Sequence, residues 1–79
     1  MAGPRSPRHR AFGEALRALR TDAGLSQEAL AHAADLDRTY VSGIERGERN
    51  PGLTNLLRLA DALGVPLSKL VARAERPRR

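Results

Sequence analysis

The sequence has no cysteine and no tryptophan, one tyrosine and one phenylalanine. Without cysteine there are neither disulfide staples nor thiolate metal sites. With so few large rings, a core has to be assembled from Leu, Ile, Val and Ala. No apolar run approaches the roughly 20 residues of a membrane span. The opening MAGPRSPRHR lacks the apolar segment of a secretory signal. The expectation is a cytoplasmic protein that does not engage a membrane. The two histidines, His9 and His32, stand beside no candidate nucleophile or metal partner, and there is no glycine-rich phosphate loop. The pattern therefore argues against an enzyme and gives no cofactor or metal site.

What is there fits one small domain of 79 residues. A chain of this size buries a modest core and is marginal without help, which makes a second subunit the natural extra source of stability. The formal net charge is +5, but it is unevenly placed. The two ends, before Ala11 and after Ala72, carry seven arginines against one glutamate. The stretch 11–72 carries seven basic and eight acidic residues. Any anion-binding surface on the folded body must come from local placement of Arg17, Arg38, Arg46 and Arg49. The ends read either as solvated tails or as phosphate-seeking arms.

Apolar periodicity predicts five helices and no strand. Gly3, Pro4 and Pro7 make the lead irregular, and the first helix is expected from Arg8 or His9. Its stripe is Phe12, Ala15, Leu16, Leu19 and Ala23, stopped at Gly24. Ser26 caps a second helix of about two turns. Asp37 caps a third that runs to about Arg46, with Gly47 ending it. The fourth carries Leu53, Leu56, Leu57, Leu59, Ala60 and Leu63 and stops at Gly64. Pro66 suits the first turn of a fifth, with Leu67, Leu70 and Val71. The domain organisation follows as a flexible basic arm (1–8), the folded domain (9–73) and a basic tail (74–79).

The second and third helices, within QEALAHAADLDRTYVSGIER, meet with almost no linker. Ala31 is small enough for a close crossing, and Leu30, Ala34, Leu36, Val41 and Ile44 fill the space beneath. Asp35 stands where the turn needs a left-handed residue, which Asp tolerates. Arg38, Thr39, Tyr40 and Ser42 remain on the outer face of the third helix. This is how a helix-turn-helix reads: one helix is buried to hold another whose polar face is free.

The strings LRALRTDAGLSQEALA, LDRTYVSGIERGERNP and LLRLADALGVPLSKL resemble the phage-repressor-like helix-turn-helix family, often called the XRE family, over roughly Arg10 to Val71. Within it the chain looks most like the small controller proteins of restriction–modification systems. The resemblance implies an all-α, compact five-helix lambda-repressor-like domain that binds double-stranded operator DNA, usually as a two-fold homodimer. It implies that Gln27 contacts the DNA backbone and braces the third helix. It places Arg38, Thr39, Tyr40 and Ser42 in the groove, where Arg can bond guanine O6 and N7 and the Thr methyl can meet thymine. Arg46 and Arg49 would clamp phosphates, with Gly47 and Asn50 offering backbone N–H groups beside them. Glu48 would point away. Gly43 departs from the family by falling where other members carry a longer side chain. Arg20 and Glu45, both bordering inward stripes, match a family ion pair between the first and third helices.

The leucines of the fourth helix cannot all face one small core, which points to a homodimer through the fourth and fifth helices. Activation would require contact with RNA polymerase, through exposed residues of the second and third helices. The alternatives to a transcriptional regulator are an antitoxin or a helix-turn-helix adaptor that binds protein. A purely protein-binding descendant has little reason to keep Arg38, Thr39 and Tyr40 together with Gln27 and Arg46, and an antitoxin is expected to carry a longer toxin-binding extension than ERPRR.

Overall fold

Ser6 and Pro7 open the first helix, α1 (Pro7–Asp22). The Ser6 hydroxyl accepts the backbone N–H of His9 at 3.2 Å and lies 2.6 Å from His9 Nδ1. Pro7 takes the first helical position, where its missing N–H costs nothing. The helix thus starts ahead of the expected Arg8 or His9, because Ser-Pro is itself a start signal. Four more helices follow: α2 (Gln27–Ala34), α3 (Arg38–Glu45), α4 (Leu53–Leu63) and α5 (Leu67–Ala74). Pro66 holds the cap position just ahead of α5. This computed structural model describes residues 6–77, with no strand among them. Residues 1–5 of the expected arm and Arg78 and Arg79 of the tail lie outside the described residues.

The first four helices stop by one device. A residue in the left-handed conformation turns the chain, and the next N–H reaches back to a carbonyl five residues earlier. The pairs are Leu25 to Arg20, Leu36 to Ala31, Glu48 to Gly43 and Val65 to Ala60, at 2.8–3.1 Å. Three of the left-handed residues are glycine; the fourth is Asp35, at φ 58°. Orphan carbonyls at the helix ends are thereby satisfied inside the chain.

Every helix sends at least one side chain to a shared core: Leu16, Leu30, Val41 with Ile44, Leu59 and Leu70 are each fully buried. Phe12, Leu25, Leu36, Tyr40, Leu63 and Leu67 pack around them. Three expected stripe members of α1 and α4 lie outside. Ala23 is exposed as the cap of α1, and on α4 the apolar surplus is real, with Leu53 65% and Leu57 45% exposed. α1 packs against α3 and α5, and α2 against α3 and α4. An exposed Arg8–Glu75 ion pair at 3.1 Å ties the start of α1 to the end of α5.

α1 crosses the end of α3 at van der Waals contact between backbones. A Cβ on Gly13 would lie 2.4 Å from the carbonyl oxygens of both Ile44 and Glu45. Periodicity gives no hint of this, because glycine leaves no mark in an apolar stripe. Gly13→Ala should lower stability by about 1–3 kcal/mol through overpacking, although alanine is intrinsically the better helix former by about 1 kcal/mol. Chemical denaturation checks this, and an unchanged or raised midpoint would refute the tight crossing.

Candidate nucleic-acid interface

The turn between α2 and α3 is built from Asp35, Leu36 and Asp37. Asp35 supplies the left-handed step, and Leu36 plugs back onto the core. The Asp37 carboxylate accepts the Thr39 N–H at 3.3 Å, capping α3. Val41, Ile44 and Glu45 point inward, whereas Arg38, Thr39 and Arg46 are exposed and Tyr40 and Ser42 half-buried. Of the set read from the sequence, Arg38 and Thr39 thus stand free on the surface of α3, Ser42 is partly covered, and Tyr40 turns its ring against the core.

Behind that face sits an ion pair. Arg20 donates from Nε to Glu45 Oε2 at 2.6 Å and from Nη2 to Oε1 at 3.0 Å. Its third donor, Nη1, reaches the Leu25 carbonyl at 2.9 Å. The two side chains are only 10% and 4% exposed. The hydrogen bonds to Glu45 raise the Arg20 pKa above its ordinary value, burial pulls it down, and the Coulombic attraction of Glu45 adds to the rise. A raised basic pKa gives stability that is complete below the ordinary arginine value and lost only as pH climbs past the raised one. Arg20 therefore keeps its charge throughout neutral and moderately alkaline pH.

The network continues outward. Gln27 Nε2 donates to Glu45 Oε1 at 2.9 Å, and the Gln27 carbonyl oxygen lies 3.5 Å from Arg38 Nη1. A line of polar contacts thus runs from the buried pair, through the start of α2, to the first residue of α3. No buried side-chain polar atom among the described residues lacks a partner.

The loop after α3 differs from expectation in one respect. The Gly47 N–H is taken by the Ile44 carbonyl at 2.9 Å as part of the helix stop, so it is not on offer to a phosphate. Glu48 pairs with Arg46 at 3.1 Å, an ion pair the sequence does not announce, and Arg46 also donates to the Ser42 hydroxyl. Arg49 and Asn50 are exposed beside them. The Arg49 guanidinium lies over the Tyr40 ring, 5.9 Å from its centroid. The Tyr40 hydroxyl accepts from Asn55 Nδ2 at 3.1 Å, a contact across from α4 that the sequence reading missed. Nothing in the sequence sets Asn55 apart from the other polar residues of α4, Thr54, Arg58 and Asp61.

Comparison with known proteins follows these lines. Residues 16–70 match the family described as helix-turn-helix. The chain is 47% identical over 66 residues to the control protein C.MunI of Mycoplasma sp, covering 82% of this chain and 89% of that protein. It is 49% identical over 55 residues to the control protein C.BamHI of Bacillus amyloliquefaciens, covering 68% of each. Among solved structures, the restriction-modification controller protein C.AhdI from Aeromonas hydrophila superposes with a TM-score of 0.78 at 53% identity, covering 78% of this chain and 94% of that one.

Removing one member of a buried, hydrogen-bonded pair strands the other. Arg20→Ala should cost about 3–5 kcal/mol of folding stability and loosen Gln27 and α3 with it. Unchanged thermal stability together with unchanged DNA affinity would refute the clamp.

Proposed function

This chain belongs to the helix-turn-helix family and is a DNA-binding transcriptional regulator; from that premise we propose that it binds a palindromic operator as a homodimer, in the cytoplasm, as part of a restriction–modification control circuit. The relatives it matches are named control proteins and repressors, not enzymes. The observation that carries the reading is the outward face of α3, where Arg38, Thr39, Tyr40 and Ser42 are held from behind through Gln27 by the Arg20–Glu45 pair. A polar helix face braced by a buried charge pair has little use unless it must present fixed groups to a fixed partner.

The roles divide by position. Arg38 reads base edges in the major groove, where a guanidinium suits guanine O6 and N7. Thr39 and Ser42 offer hydroxyls, and Thr39 a methyl, to neighbouring bases. Gln27, Tyr40, Arg46, Arg49 and Asn50 line the sugar–phosphate edge and set register. Arg46 enters this surface partly neutralised by Glu48, so its phosphate contact has to share or displace that pair.

The second subunit covers the apolar surplus of α4 and α5. Leu53, Leu57 and Val71 are exposed at 65%, 45% and 38%. Val71 also borders a groove of about 260 Å³ that Phe12, Pro51 and Leu56 share with Arg8, His9, Arg49 and Asn50, so the apolar surface runs up to the proposed DNA edge. Burial of this surface in a two-fold contact sets two copies of α3 about one DNA turn apart, roughly 34 Å. When the operator lies beside a promoter, exposed residues of α2 and α3 contact RNA polymerase.

Selection from random duplex DNA should enrich a palindrome with half-sites one turn apart; no enriched motif would sink this reading. Within it, Arg46→Ala should reduce the salt slope of binding by about one unit per subunit while sparing base preference, and Arg38→Ala should flatten base preference at one position of each half-site. Light scattering at tens of micromolar should give twice the chain mass, falling to the monomer for Leu53→Glu with Leu57→Glu. A monomer in the unsubstituted protein would overturn the dimer.

A further inference from the structure

Gly43 sits in the interior of α3, where glycine is the poorest helix former after proline. It is buried, and what covers it is not another helix. A Cβ on Gly43 would lie 2.7 Å from Cγ and 3.2 Å from Nε of Arg49. The three nearest atoms to that added carbon all belong to the Arg49 side chain. Arg49 leaves the loop after α3, crosses the notch at Gly43 and brings its guanidinium over Tyr40. Tyr40 is itself fixed, with its ring against the core and its hydroxyl held by Asn55.

We infer that Gly43 is a positioning residue for DNA binding: its missing side chain opens the channel through which Arg49 lies on the recognition helix, poised against Tyr40. The inference rests on the DNA-binding reading above and adds to it how this guanidinium is delivered. Arg49 is exposed and carries a long stem, so in the absence of a channel it would sample many rotamers in solvent. Ordering such a side chain on binding weakens affinity by about two- to tenfold per residue. The notch and the Tyr40 shelf meet part of that ordering in the free protein. Gly13 makes a useful contrast. Its added carbon would strike backbone carbonyls that cannot move, whereas at Gly43 it would strike a side chain that can swing away.

The two glycines therefore respond in opposite senses to the same change. Gly43→Ala keeps the fold and, by improving helix propensity, raises Tm by up to about 4–8 °C. In the free protein, NMR should show the Arg49 side-chain protons shifted by the Tyr40 ring current, with that shift lost in Gly43→Ala and in Tyr40→Leu. On the selected operator, Gly43→Ala should weaken binding about three- to tenfold per subunit and Arg49→Ala about tenfold or more. The double variant should bind no more weakly than Arg49→Ala alone, because Gly43 acts through Arg49. Persistence of the ring-current shift in Gly43→Ala overturns the inference, and so do losses that add in the double variant, which would mean that Gly43 serves only its own close approach to DNA. If the unsubstituted protein binds and Gly43→Ala binds equally well, the role of Gly43 falls while the regulator reading stands. If the unsubstituted protein selects no duplex, both fall.

Discussion

The fold turns on the charge pair between Arg20 and Glu45. Two full charges have been taken out of water, which is expensive unless each finds its complement of hydrogen bonds. Here they do: the guanidinium spends its donors on both carboxylate oxygens and on the Leu25 carbonyl, and the carboxylate takes a further bond from Gln27. The result ties three segments at one point. α1 contributes the cation, α3 the anion, and the entry to α2 both a carbonyl and an amide. A wholly apolar contact could supply similar free energy but would let α3 rotate or slide among near-equivalent packings. A bidentate pair allows one orientation, and the outward face of α3 inherits that orientation.

The nearly balanced charge of the body gives this geometry its importance. With seven basic and eight acidic residues between positions 11 and 72, bulk attraction cannot hold DNA against the folded surface. Individual cations must arrive in the right places. Arg38 leads α3, Arg46 closes it, and Arg49 returns over it from the loop, so three guanidinium groups converge on one helix of eight residues. Glu48 tempers Arg46 on that same surface. On the proposed reading, discrimination between sequences comes from fitted contacts on this surface and not from the charge of the folded body.

Much of this was legible from the chain, and the part that was not has a common cause. Ser26, Asp37, Gly24, Gly47 and Gly64 act within a few residues of where they stand, so they mark helix ends in any context. Apolar periodicity found the residues of the core for the same reason. Asp35 was readable as a left-handed residue because its side chain is short. The Arg20–Glu45 pair could be placed only as two stripe-edge residues plus a family likeness, since the partners are 25 positions apart. Gly13, the Arg49 channel over Gly43 and the Asn55 support of Tyr40 were silent. Each depends on which foreign atom lies opposite, and a missing side chain carries no periodic signal. The Glu48–Arg46 ion pair was equally silent, because charge alone does not say that a pair will form with the residue two places back. At the start of α1, Ser6 and Pro7 were classed as irregular although they carry a clear start signal, which the prolines around them masked.

The scarcity of aromatic residues has one more consequence. Tyr40 is the sole tyrosine and there is no tryptophan, so nearly all of the intrinsic near-ultraviolet emission of this chain originates at one ring. That ring lies on α3, beneath a guanidinium and bonded to α4. The molecule therefore carries a native optical label on the surface proposed to meet DNA. Docking of DNA, displacement of Arg49 or loosening of α4 all change the surroundings of the same chromophore, without any dye or engineered tryptophan to disturb them.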